Sequence, residues 1–132
     1  GNVDIKNSDI VIIMLGTNGG LDPEIETQGN RDYEYIVDKC RTDAPKSEIL
    51  LCTPPHATEN PKYSNYGYAE QVKKAVAFVR KYASKTGMKL IDVAECSDFN
   101  AENEHIMQPN DGLHFSKEGY KHLARYITEH LL

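Results

Sequence analysis

The apolar positions along the chain change period in a regular way. Residues 9–15 (Asp-Ile-Val-Ile-Ile-Met-Leu) form a continuous β-branched run that stops at Gly16. Such a run predicts a strand buried on both faces, as in a parallel sheet. Gly16-Thr17-Asn18-Gly19-Gly20 follows as a glycine-rich turn, and residues 21–30, polar and containing Pro23, read as loop. Tyr33, Ile36, Val37 and Cys40 then recur at helical spacing, and the pattern stops before Pro45. Residues 48–53 predict a second strand, closed by Pro54-Pro55. Residues 56–68 are polar, rich in Asn and Tyr, and long for a connection without structure; loops of that length are usually functional or mobile. Val72, Val76, Val79 and Ala83 mark an amphipathic helix over residues 68–86, with Gly87 as its C-cap. Residues 89–94 predict a third strand, and residues 95–113 a polar loop. Ser116 is a good N-cap for a last helix, whose apolar stripe reads Tyr120, Leu123, Ala124, Ile127 and Leu131.

Strands alternating with helices predict a single α/β domain over residues 1–132, a parallel sheet covered by helices. In such sheets ligands bind beyond the carboxyl ends of the strands. That rule selects three loops, residues 16–30, 53–68 and 95–115.

Composition narrows the function. Hydrophobic residues make up 39% of 132, enough for one core but a thin one. The net charge of −5, with no Lys/Arg cluster, argues against nucleic acid or a polybasic membrane anchor. The longest apolar run is far short of the roughly 18 residues of a membrane span. Cys40, Cys52 and Cys96 include no CxxC pair and read as free thiols rather than a disulfide framework or zinc cluster. Cys52 lies inside a strand, a poor place for a nucleophile.

Two of the selected loops carry short polar motifs. Gly16-Thr17-Asn18-Gly19 follows the first strand, and Asp111-Gly112-Leu113-His114 precedes the last helix. Taken singly, Asn-Gly and Asp-Gly are ordinary turn signals. Taken together they suggest more. A side-chain amide at a strand end can aim N–H donors at a developing oxyanion. An Asp three residues before a His can hold one ring nitrogen and leave the other as a general base. His105, Asp111 and His114 lack the helical pairing usual in metal sites, so no metal is expected there. Tyr63, Tyr66 and Tyr68 with Asn60 and Asn65 either line a sugar-binding cleft or pack their own loop. His122 and His130, on the last helix, are expected to be solvated.

The stretch from Asp111 through Tyr120 (Asp-Gly-Leu-His-Phe-Ser-Lys-Glu-Gly-Tyr) resembles the fifth block, Asp-x-x-His, of SGNH/GDSL hydrolases. Strand-Gly16-Thr17-Asn18 resembles their third block, Gly-x-Asn-Asp, with Gly19 where Asp often stands. The strand–Pro54-Pro55 and Leu90-Ile91-Asp92-Val93 segments fit as well, so the likeness runs from Asp9 to Leu132. The resemblance implies a flavodoxin-like three-layer α/β/α fold and hydrolysis of a small ester by a serine nucleophile, without metal or cofactor. It implies His114 as base, Asp111 as its orienting partner and Asn18 as oxyanion donor, on a loop of Gly16, Thr17 and Gly19.

The family's first two blocks, which bear the serine and a glycine N–H, have no counterpart here. None of Ser8, Ser47, Ser64, Ser84, Ser97 and Ser116 follows a buried strand in a glycine elbow. The chain also starts at Gly1 rather than Met. It therefore reads as the C-terminal part of such a domain, truncated at its N-terminal strand–helix–strand unit. The exposed edge of residues 10–15 would then pair with that missing segment or with a second copy. Three readings stay open: the acid–base part of an esterase, a non-catalytic SGNH-like binding or scaffold domain, and an unrelated flavodoxin-like domain whose motifs are only turns.

Overall fold

The computed structural model describes residues 3–131, so expectations attached to Gly1 and Leu132 lie outside the described residues. The elements run β1 (Ile10–Met14), α1 (Gln28–Asp43), β2 (Glu48–Cys52), α2 (Ala69–Thr86), β3 (Lys89–Ile91), α3 (Glu104–Met107) and α4 (Lys117–Glu129). Short 3-10 turns occupy Tyr66–Tyr68 and Val93–Glu95. The three strands form one parallel sheet in the order β1-β2-β3. The register pairs Ile13 with Leu51 and Leu51 with Leu90.

Alternation along the strands separates two cores. Ile13 and Leu51 face α1 and α2 and pack on Tyr33, Val37, Ala75, Phe78, Val79 and Tyr82. The Tyr33 ring meets Phe78 and Tyr82 edge-on, at 5.3 and 5.5 Å between centroids. Leu50, Cys52 and Ile91 face the other way, onto Val93, Phe99, Met107 and Leu123 of α4. The result is a three-layer α/β/α sandwich, as the strand–helix alternation predicts.

Several local expectations need correction. β1 is not buried on both faces: Ile13 is buried, but Ile10 and Ile12 are 42% and 44% exposed. The reason is that, among the described residues, β1 pairs with β2 alone and Ile10 and Ile12 belong to neither core cluster. α1 begins earlier than its apolar spacing indicates, because Thr27 caps it by accepting from the Asn30 N–H at 3.0 Å. β3 ends at Ile91, since Thr53 Oγ1 donates to Asp92 at 2.8 Å and accepts from the Ala94 N–H at 2.9 Å, which draws the chain into a 3-10 turn. The long polar loop contains α3. Tyr120 and Ala124 are exposed, and α4 buries Gly119 and Leu123 instead, with Tyr126 and Ile127 packed beside the core. His122 is not freely solvated: its Nδ1 meets Asp98 at 2.9 Å and its Nε2 meets Glu118 at 3.2 Å. The caps at Gly87 and Ser116 form as expected.

Candidate active site

The loop before α4 is tied down at both ends. Gln108 closes α3 by donating its N–H to Glu104, and the Gly112 N–H returns to the Gln108 carbonyl at 3.1 Å. Ser116 donates its N–H to Met107 and its hydroxyl to the Ile106 carbonyl, and accepts from the Gly119 N–H. Between these ties the chain must turn sharply, and Gly112 does so at φ +75°. A Cβ there would lie 2.1 Å from Thr58 Cγ2, so only glycine fits.

That turn brings Asp111 and His114 together. Asp111 Oδ1 accepts from the N–H groups of Leu113 (2.9 Å) and His114 (2.8 Å). Its Oδ2 accepts from Asn65 Nδ2 at 3.0 Å and contacts His114 Nδ1 at 2.5 Å. Burial pushes the Asp111 carboxyl up, but the hydrogen bonds from the His114 ring and from the two backbone N–H groups outweigh it and hold the carboxyl below its usual value. An ionised Asp111 accepts the Nδ1 proton and leaves the lone pair on Nε2. The His114 side chain is 74% exposed, so a proton donor can reach that nitrogen.

A buried polar layer supports this loop. Glu104, only 2% exposed, accepts from Thr58 Oγ1 at 2.8 Å and meets His56 Nε2 at 2.7 Å. Thr58 in turn donates its N–H to the Gly112 carbonyl at 3.0 Å. The fully buried Gln108 donates Nε2 to the carbonyls of His56 and Leu113. Apart from the local bond of Gln108 to Leu113, these join residues 46 to 54 apart in the chain, so no local pattern announced them. In the Tyr/Asn loop Tyr63 is buried and Asn65 is bonded to Asp111, while Tyr66 stays half exposed.

The other motif follows β1. The Gly19 N–H bonds the Gly16 carbonyl at 3.0 Å, closing a turn that holds Thr17 half-buried and leaves Asn18 exposed. Gly16 sits at φ +120°, and a Cβ there would lie 2.7 Å from that of Ala75. Gln71 of α2 donates Nε2 to the Thr17 carbonyl at 2.9 Å. Both motifs thus stand beyond the carboxyl ends of the strands, each held by the segment that opens α2. The serines have other positions. Ser47 donates its hydroxyl to the Ser8 backbone carbonyl where β1 and β2 begin, Ser116 caps α4, and Ser64 is exposed in the loop beside Asn65. Burial pushes the Cys52 thiol up to about 11, which removes the thiolate a nucleophile needs.

The model of the GDSL-like lipase/acylhydrolase family matches residues 2–122. The chain belongs to this family. That membership sets aside the reading as an unrelated flavodoxin-like domain. Solved structures agree in fold. A lipase/acylhydrolase from Enterococcus faecalis is 21% identical with a TM-score of 0.67, covering 95% of this chain and 62% of its own. An acetyl xylan esterase is 21% identical with a TM-score of 0.63, covering 96% and 69%. A peptidoglycan O-acetylesterase is 21% identical with a TM-score of 0.65, covering 92% and 36%. The chain spans 60–64% of the length of the first three solved structures it matches. No curated protein matches it. Among the described residues, no helix is long and apolar enough to cross a membrane.

Proposed function

We propose that the protein hydrolyses small carboxylic esters by a Ser-His-Asp mechanism, in which this chain supplies His114, Asp111 and Asn18. The observation that carries the reading is the 2.5 Å contact between His114 Nδ1 and an Asp111 carboxylate already satisfied by three N–H donors. In the acylation step His114 Nε2 takes the serine hydroxyl proton as Oγ bonds to the ester carbon. Electrons move onto the carbonyl oxygen, where the Asn18 amide donates to the oxyanion. The tetrahedral intermediate collapses, the C–O bond to the alcohol breaks, and His114 returns the proton to the leaving oxygen. Water repeats the sequence to free the acid. Asp111 stabilises the imidazolium in both halves.

The serine is expected from polypeptide outside these 132 residues. In support, Ser116 is engaged as a cap and Ser8 and Ser47 sit where the strands begin. The exposed Ile10 and Ile12, on a strand that pairs with β2 alone among the described residues, support a further strand there. It would come from an additional segment of the protein or from a second copy. An acylated carbohydrate is the substrate class we favour, because two structural neighbours act as acetyl xylan and peptidoglycan esterases. The test is a fluorophosphonate probe with an ester assay. The natural full-length protein should be labelled and active, and the 132-residue chain unlabelled. Labelling of a serine within this chain overturns the assignment of the nucleophile. A full-length protein that is neither labelled nor active favours a non-catalytic binding domain.

A further inference from the structure

Asn65 and Gln71 are six residues apart, on the 3-10 turn that leads into α2 and on the first turn of that helix. At helical rise that is on the order of 10 Å of chain. Each reaches a different motif. Asn65 donates Nδ2 to Asp111 Oδ2 at 3.0 Å and its own backbone N–H to the Asp111 carbonyl at 3.2 Å. Gln71 donates Nε2 to the Thr17 carbonyl at 2.9 Å, and its side chain comes within 3.0 Å of where a Gly19 Cβ would stand.

We propose that residues 65–71 are a brace that fixes the Asp111–His114 pair and the Asn18 loop relative to each other, with Asn65 and Gln71 as positioning residues. The proposal rests on the esterase reading for its catalytic consequence. The two loops come from opposite ends of the sequence and, among the described residues, share no hydrogen bond through their own motifs. A helix start is rigid, and two amide donors on it convert a pair of separate loops into one frame. Hydrolysis needs that frame, because base and oxyanion donor act on the same tetrahedral centre and small misplacements cost rate steeply. Asn65 has a second effect. It satisfies the carboxylate oxygen that also holds His114, which restrains Asp111 from rotating away from the ring. Of the charged groups nearby, His114 acts on the Asp111 carboxyl, while Glu104 pairs with His56, Glu59 with Lys73, and Lys62 lies over the Tyr63 ring.

Two isosteric substitutions test the brace, since each replaces an N–H donor by an acceptor without changing shape. In the full-length protein, Asn65→Asp should lower kcat about 30-fold with KM within about twofold. It should cost more than Asn65→Ala, and it should move the acidic limb of the kcat/KM profile upward, because a second carboxylate then stands beside Asp111. Gln71→Glu should lower kcat about tenfold and leave that limb in place. A structural role alone would make the isosteric Asn65→Asp the milder of the two Asn65 changes. That order, or kcat within twofold for both isosteric variants, overturns the brace. Amide hydrogen exchange decides the same question without activity. Asn65→Asp should speed exchange of the Leu113 and His114 N–H groups about tenfold, and unchanged exchange refutes the proposal. An unsubstituted protein that hydrolyses no ester refutes the esterase function instead, and exchange then decides the brace.

Discussion

The two loops of the candidate site are held in contrasting ways. The loop of Asp111 and His114 is closed by backbone bonds to α3, satisfied on four sides at its carboxylate, and seated on the buried Glu104–Thr58–Gln108 layer. The loop of Asn18 has its own turn, one bond from Gln71, and a close approach of α1, where Thr27 Oγ1 donates to the Gly20 carbonyl at 2.5 Å. It also stands at the end of an edge strand. The difference suits the two tasks proposed for these loops. A base transfers a proton only along a narrow direction, so its ring must be oriented by neighbours within the chain. An oxyanion donor needs only to point into the site, and glycine torsions at Gly16 and Gly19 set that direction.

The contrast is broken most directly at His114. His114→Ala should lower ester hydrolysis by the full-length protein on the order of 10⁴-fold and leave the thermal midpoint nearly unchanged, because the side chain is largely exposed. A large loss of stability would mean that the ring is a structural part of its loop. Asp111→Asn should be nearly as damaging to kcat, through the wrong imidazole tautomer. It also carries a pH signature. A carboxyl held below its unfolded value contributes stability that is present above about pH 4, and the contribution is lost as pH falls through the folded value. Denaturant midpoints measured from pH 7 to pH 2 should therefore fall less steeply for Asp111→Asn than for the unsubstituted protein.

Next in size is the pair of glycines. Gly112→Ala adds a clash with Thr58 to a left-handed backbone and should cost about 3 kcal/mol in urea unfolding. Gly16→Ala meets the Ala75 Cβ at a slightly longer distance and should cost about 2 kcal/mol. An equal or reversed order would show that the Asn18 loop is the more rigid of the two. The smallest effect is expected at the edge of β1. Ile12→Lys should change stability by less than about 0.5 kcal/mol and abolish any concentration-dependent association seen by light scattering.

Much of the fold was legible because the hydrophobic period reports local environment. The β2 run met the sheet it predicts; of the α2 stripe Val72, Val79 and Ala83 are buried, while Val76 is half-buried and Ala75, Phe78 and Tyr82 complete the core face; Ser116 and Gly87 cap helices through chemistry contained in a few residues. β1 misled because a continuous apolar run reports a preference for burial, whereas burial itself depends on which elements arrive beside it. β3 was shortened by Thr53 and Arg80 bonding Asp92, contacts 39 and 12 residues away in sequence. The Asp111-x-x-His114 contact lay within one turn and could be anticipated. The bond from Asn65 to Asp111 spans 46 residues, and no local pattern signals it.

The sequence by itself determined the alternation of strands and helices, their caps, and the local reach of Asp111 to His114, since each depends on neighbours within a turn or a few residues. Only the tertiary structure decided that Glu104 is a buried carboxylate bonded to the Thr58 that holds the Asp111–His114 loop, that Asn65 completes the Asp111 hydrogen bonds, and that Gln71 ties the Asn18 loop to the same helix start. Those pairings span 46 to 54 residues. No periodicity encodes which distant polar groups will meet, because that is settled by how the layers pack.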